Sequence, residues 1–204
     1  RQHLEEIKVT VEEGGSGLGT IALQTLGCKL NQAETESLAR QFLEAGYRVV
    51  APDQPANVYL LNTCTVTHIA DRKSRHWLRL ARRRNPQALI VATGCYAQRC
   101  PQDLAPLADL VIDNTDKEHL LARIQTVSLE GRGLGEGEVK QSQIPVATAR
   151  TRSLIKIQDG CHGPCTYCIV PRVRPREYSL PASQIIDEVK QKVTLGYREV
   201  VLTG

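Results

Sequence analysis

Residues 57–95 decide the fold. They open with Asn57-Val58-Tyr59-Leu60-Leu61-Asn62-Thr63-Cys64, pass through a basic stretch at His68–Arg84, and close with Ala88-Leu89-Ile90-Val91-Ala92-Thr93-Gly94-Cys95. The two short apolar runs have the length and composition of buried strands. Between them, Ile69, Trp77, Leu80 and Ala81 provide an apolar side on a segment long enough for a helix. The reading is strand, helix, strand.

The same alternation continues outward on both sides. Upstream, Thr20–Thr25 reads as a strand, and a helix is expected from about Asn31. Asn31 would cap it, with Glu34 three residues on as in a capping box. Leu38 and Phe42 lie one helical turn apart, and Gly46 marks the stop. Tyr47–Val50 follows as a strand. Downstream, Leu110–Ile112 is a strand and about 116–125 a helix. Five strands alternating with helices predict an α/β fold, with a doubly wound parallel sheet as the N-terminal domain.

Residues 1–19 are acidic and then Gly-rich. They precede the first strand instead of following one, so they fail the context of a dinucleotide fingerprint and are expected to be a flexible lead-in. Residues 20–129 form the first domain. Residues 130–150 are polar, with Gly131, Gly133, Gly135 and Gly137, and suggest a linker. Residues 151–204 begin anew: strand Ser153–Ile157, a Cys-rich loop, a helix from about Pro181 to Leu195, and strand Glu199–Thr203. Ile185, Ile186, Val189 and Val193 lie on one side of that helix.

Composition narrows the function classes. The chain of 204 residues is 41% apolar and 24% charged, an ordinary globular balance. No apolar run approaches the ~18 residues of a membrane helix, and no secretory leader opens the chain. A cytoplasmic protein without membrane contact, monomeric, is the expectation. The lack of Met and the strand-like ending lead to the expectation of a fragment. Formal charge is +4, and residues 68–84 hold seven Lys/Arg against one acid. The rest of the chain is slightly acidic. Arg72, Lys73, Arg75, Arg79, Arg82 and Arg83 are therefore candidates for contact with nucleic-acid phosphate, against the plainer reading of a solvated helix face.

Seven cysteines without a leader suggest metal binding or catalysis rather than disulfides. Cys161, Cys165 and Cys168 form C-x3-C-x2-C just after a strand. Three thiolates suit an iron–sulfur cluster with one iron left open. A structural zinc site would want four ligands, and His162, adjacent to Cys161, is badly placed as the fourth. Zinc and inert thiols stay open as alternatives. Cys28, Cys64 and Cys95 are 36 and 31 residues apart, yet each follows a predicted strand. In an open parallel sheet those ends share one edge, where ligands bind. The alternative is three separate buried thiols. Cys100, before Pro101, reads as a plain thiol.

The C-x3-C-x2-C loop, with Tyr167 before its last Cys, resembles the radical S-adenosylmethionine (SAM) enzymes. Leu26–Asn31, Asn62–Thr67 and Gly94–Gln98 around the other three cysteines resemble the methylthiotransferases, and the resemblance covers about residues 20–204. The wording at Gly27–Glu36 and Asn62–Thr67 is similar to the branch acting on N6-threonylcarbamoyladenosine in tRNA. The branches acting on isopentenyladenosine and on a ribosomal-protein aspartate are the alternatives.

The resemblance implies two 4Fe-4S clusters. Cys161, Cys165 and Cys168 would hold the SAM-binding one, whose use yields a 5′-deoxyadenosyl radical that takes hydrogen from C2 of the adenine. Cys28, Cys64 and Cys95 would hold an auxiliary cluster that presents sulfur, and a second SAM would supply the methyl group. An electron donor and a sulfur source are implied, with tRNA as partner. Tyr167 would lie near the SAM adenine or pack in its loop. Arg172, Arg174 and Arg176 would contact phosphate or SAM, or be solvated. No catalytic acid or base is identified.

In one place the chain departs from the family. Members usually carry Arg-Gly and later Arg-Ser after the cluster loop, whereas here Arg174 precedes Pro175 and Tyr178 precedes Ser179. The second domain would open a radical SAM partial (β/α) barrel, and this chain alone would be weak or inactive. The rival classes are a metal-stabilised RNA-binding module without catalysis and a two-cluster electron carrier. The electron carrier would favour four cysteines per cluster.

Overall fold

The computed structural model describes residues 18–129 and 151–204. The lead-in expected over 1–19, apart from its last two residues, and the linker expected over 130–150 lie outside them.

The first strand is β1 (Thr20–Thr25), followed by α1 (Lys29–Glu44), β2 (Arg48–Val50) and β3 (Val58–Thr63). Then come α2 (His68–Arg84), β4 (Leu89–Gly94), the short helices α3 (Cys95–Arg99) and α4 (Pro101–Leu104), and β5 (Leu110–Ile112). A 3-10 turn at Lys117–His119 leads into α5 (Leu120–Leu129). The five strands form one parallel sheet in the order β2-β1-β3-β4-β5.

Helices cover both faces, and side-chain alternation decides which residues meet them. Ile21, Leu23, Val58, Leu60, Leu89 and Val91 pack with Leu38 and Phe42 of α1 and with Leu120 and Ile124 of α5. Ala22, Tyr59, Leu61, Ile90 and Ala92 pack with Leu78 and Ala81 of α2 and with Tyr96, Ala97 and Leu104. The central strands β3 and β4 are buried along their whole length. This is why they read as near-continuous apolar runs. Burying one large apolar side chain such as Phe42 contributes about 1.5–3 kcal/mol. The doubly wound expectation is met.

Three local expectations are overturned. Helix α1 starts at Lys29 with Cys28 as N-cap, and no side chain caps it. Asn31 and Glu34 are buried instead and form no capping box, because both are engaged by groups elsewhere in the chain. In α2, Ile69 does not face the core: it is 56% exposed, and Leu78 takes that role. The helix is capped by Thr67, whose hydroxyl accepts from Ala70 N–H at 3.2 Å.

Residues 151–204 contain β6 (Arg152–Lys156), β7 (Gln158–Asp159), α6 (Val170–Val173), β8 (Tyr178–Ser179), α7 (Ala182–Thr194) and β9 (Glu199–Thr203). β6 and β9 pair in parallel with α7 between them in sequence, one βαβ unit, while β7 and β8 make a short antiparallel pair. β6 lies against α1. The expected apolar side of α7 is not uniformly covered, since Ile186 and Val193 are exposed.

Candidate functional site

The strand order reverses between β1 and β3, so their carboxyl ends flank the crevice where open α/β sheets hold ligands. Cys28 lies three residues past β1, Cys64 directly past β3, and Cys95 directly past β4 as the first residue of α3. Local chemistry holds each of the three turns. Asn31 Nδ2 donates to the carbonyls of Leu26 and Thr63, both at 2.9 Å, tying the Cys28 turn to the Cys64 turn. Thr63 Oγ1 accepts from Tyr96 N–H and Ala97 N–H, both at 3.2 Å, and donates to Thr93 O at 2.5 Å. A hydroxyl from β3 thus satisfies the start of α3 and fixes Cys95.

The turn before Cys28 packs against Cys64. A Cβ on Gly27 would lie 2.7 Å from Cys64 Sγ. Gly94 has φ +97°, and a Cβ there would lie 2.5 Å from both Asn62 Oδ1 and Thr63 O, so only glycine fits. Burial pushes the Cys64 thiol pKa up, and the nearby Cys95 and Cys28 push it further. Cys64 therefore lies within electrostatic reach of both Cys28 and Cys95.

The surroundings are positive. Burial pulls the Lys117 pKa below its ordinary value, opposed by Glu34 and more weakly by Cys95, whereas Glu34, Cys95 and Asp159 together outweigh burial and hold Arg174 cationic. Asn114 Nδ2 stands 3.9 Å from Cys95 Sγ. A triad of soft donors among cations and an amide N–H fits a thiolate-bound cluster. Among the described residues, no three His, Cys, Asp or Glu side chains are gathered for one metal ion. A polynuclear cluster spaces its ligand sulfurs more widely than a single ion does. All seven cysteines are free thiols.

The second triad sits on a single loop. Cys161 and Cys168 are half-buried and Cys165 is exposed. Gly163 N–H donates to Cys161 Sγ at 3.3 Å, and Cys168 N–H to Cys165 O at 3.2 Å. A Cβ at Gly163 would lie 3.2 Å from Cys161 Sγ and 4.0 Å from Cys165 Sγ, so those two sulfurs flank one glycine. His162 is engaged elsewhere, through Nε2 with Pro175 O at 2.9 Å and Nδ1 with Glu177 at 3.3 Å. Tyr167 is 91% exposed, which removes the loop-packing reading.

Between the triads lies a charged cluster that the sequence did not announce. Glu34 receives Lys117 Nζ at 2.6 Å, Lys156 Nζ at 2.8 Å and Arg174 Nη1 at 2.7 Å. Arg174 and Lys156 also reach Asp159, at 2.5 and 2.7 Å. Burial alone would raise the Glu34 pKa, but the three cations hold it far below the usual carboxylate range. Arg174 is 3% exposed. It is therefore not solvated, contrary to one of the expectations for it, whereas Arg172 and Arg176 are exposed. One signal was legible in advance: Lys156, a charge closing the apolar run Leu154-Ile155. The cluster lines a cavity of about 930 Å³ that also takes in Ser37, Gln41 and Arg176.

The basic helix divides. Arg72, Lys73, Arg79 and Arg83 are exposed. Arg75 is committed to Tyr96, by a hydrogen bond to its hydroxyl and by lying 5.7 Å from the ring centroid. Arg82 pairs with Asp109 at 2.6 Å and donates to the carbonyls of Pro86 and Ala88. These partners turn Arg75 and Arg82 to structural use.

Over residues 20–113 the chain matches the profile of a family described as uncharacterized protein family UPF0004. A threonylcarbamoyladenosine tRNA methylthiotransferase of Aquifex aeolicus is 42% identical over 193 residues, covering 90% of this chain and 47% of that protein. The one of Bacillus subtilis is 40% identical over 196 residues, covering 92% and 44%. Over about nine-tenths of its length the chain is similar to tRNA methylthiotransferases. A second group of methylthiotransferases is also similar. A tRNA-2-methylthio-N(6)-dimethylallyladenosine synthase of Moorella thermoacetica is 34% identical over 199 residues, covering 91% and 45%. The chain spans about half the length of the curated relatives it matches. The family profile contains Cys28, Cys64 and Cys95 and stops before the second triad.

Proposed function

We propose that the protein carrying this chain is a tRNA-modifying radical SAM methylthiotransferase, adding a methylthio group to C2 of N6-threonylcarbamoyladenosine next to the anticodon. The observation that carries the branch is the identity gradient. Five relatives named for threonylcarbamoyladenosine are 33–42% identical, and three named for dimethylallyladenosine are 29–34% identical.

On this reading residues 20–129 are the domain of the auxiliary cluster, held by Cys28, Cys64 and Cys95. Residues 151–204 open the radical SAM barrel, and Cys161, Cys165 and Cys168 hold the SAM-binding cluster. When bound, two 4Fe-4S clusters and SAM supply radical, sulfur and methyl chemistry that no side chain offers. The chain's own part is positional. The turns after β1, β3 and β4 set the three thiols along one edge of the sheet. With only three thiols, the second loop would leave one coordination position for SAM, and Tyr167, next to Cys168 with its ring exposed, would be free to stack on it. Arg72, Lys73, Arg79 and Arg83 take tRNA phosphates. The reaction needs an electron donor and a sulfur source. A cytoplasmic monomer, with this chain alone weak or inactive, completes the reading.

Nucleoside mass spectrometry of tRNA from a strain lacking this protein tests it. Loss of the 2-methylthio form of threonylcarbamoyladenosine, restored by the gene, is expected. Loss on isopentenyladenosine instead would move the chain to the other branch, and no loss on either would refute a tRNA substrate of this kind.

A further inference from the structure

Arg174 follows Cys168 by six residues, yet its guanidinium lies inside the molecule. Nη1 donates to Glu34 Oε1 at 2.7 Å and to Asp159 Oδ1 at 2.5 Å, and Nη2 donates to Glu34 Oε2 at 3.0 Å and to Asn31 Oδ1 at 2.9 Å. Asn31 is the residue whose amide ties the Cys28 turn to the Cys64 turn. The preceding carbonyl, Val173 O, accepts from Asn114 Nδ2 at 2.7 Å, and that nitrogen also faces Cys95 Sγ. Through two amides, residues 173–174 thus touch the settings of all three sheet-edge cysteines. The charges gathered here are Arg174, Lys117 and Lys156 against Glu34 and Asp159, leaving one positive charge over before any thiolate is counted.

We propose that Arg174 is a positioning residue for the sheet-edge triad: it brings a buried positive charge from the segment behind the second cysteine loop, so that the edge is electrostatically complete only with the two loops docked. This rests on the reading that Cys28, Cys64 and Cys95 hold a cluster. Adding an electron makes a thiolate-bound cluster more negative, and a nearby buried cation favours that state. A clamp that served only for stability would not set a potential.

The test is an anaerobic redox titration, followed by electron paramagnetic resonance, of the reconstituted chain carrying C161A, C165A and C168A, so that only the sheet-edge cluster contributes. Arg174→Met is expected to lower the reduced-to-oxidised ratio at the parent's midpoint by about tenfold, 59 mV for one electron. Arg174→Lys keeps the charge and should stay near the parent. Asp159→Asn removes a negative charge bonded to Arg174 and should move the potential in the positive direction, which keeps the test open if Arg174→Met fails to fold. Unmoved potentials with the cluster present, or Arg174→Lys falling as far as Arg174→Met, would overturn the inference alone. A parent that takes up no iron at the sheet edge would overturn the functional reading and this inference with it.

Discussion

The two cysteine triads, which we propose each hold a cluster, are built in opposite ways. Cys28, Cys64 and Cys95 come from three turns spread over 67 residues, and Cys64 and Cys95 are buried. Their backbone is held by the sheet, by Asn31 and by the Thr63 hydroxyl. Cys161, Cys165 and Cys168 share one loop with few buried side chains and Tyr167 in solvent. The first triad is shaped before anything binds, because parallel-sheet topology brings the turns together. The second has little to hold it beyond its neighbours in sequence and what its thiols bind.

Several substitutions would sharpen or break this contrast. The largest effect is expected at Glu34, where Glu34→Ala leaves three cations without their carboxylate. A loss of about 3–5 kcal/mol in urea unfolding is expected, and a loss below about 1 kcal/mol would mean the cluster is solvated.

Next is glycine against glycine. Gly94→Ala forces a positive φ and a backbone overlap at the sheet edge, costing about 3 kcal/mol. Gly163→Ala meets only Cys161 Sγ at 3.2 Å in a loop that can yield, and should cost under about 1 kcal/mol. Equal costs would erase the distinction between a fold-built and a loop-built site.

Thiol labelling of the metal-free chain gives a kinetic version of the same comparison. Cys165 is exposed, whereas Cys64 is buried with its pKa raised, so iodoacetamide should modify Cys165 at least on the order of tenfold faster.

The pH dependence follows from Glu34 and Asp159, both held below their ordinary values in the folded chain. A lowered folded pKa means the unfolded chain binds the proton first. The stability these groups contribute is present above the ordinary carboxylate range and is lost as pH falls below about 4.5. Urea midpoints from pH 7 to pH 3 should fall in that window, and less steeply in Glu34→Gln. The smallest effect on folding belongs to the basic helix. Neutralising Arg72, Lys73, Arg79 and Arg83 should change stability by less than about 0.5 kcal/mol. It should flatten the salt dependence of tRNA binding by up to about 0.9 for each phosphate that the helix no longer neutralises.

The sequence was most legible where one physical cause acted alone. Strands β3 and β4 are buried on both faces, so their apolar runs stood out, and α2 was bounded correctly because charge and length agreed. The sheet-edge triad was legible because each cysteine follows a strand, and topology does the rest. Asn31 and Glu34 were misread because their local pattern matches a capping box, while their actual partners lie as far away as Thr63, Lys156 and Arg174. Nothing within a few residues of Arg174 marks it as buried. Ile69 obeys helical periodicity but lies in the first turn of α2 and is exposed, outside the core it was expected to join.

The central claim is that the two triads are separate cluster sites. Iron and sulfide per chain after anaerobic reconstitution test it most directly, compared among the parent, C28A/C64A/C95A and C161A/C165A/C168A. The account predicts about eight irons in the parent and about four in each triple variant. Zinc without sulfide, or iron that vanishes from both triple variants, would contradict it.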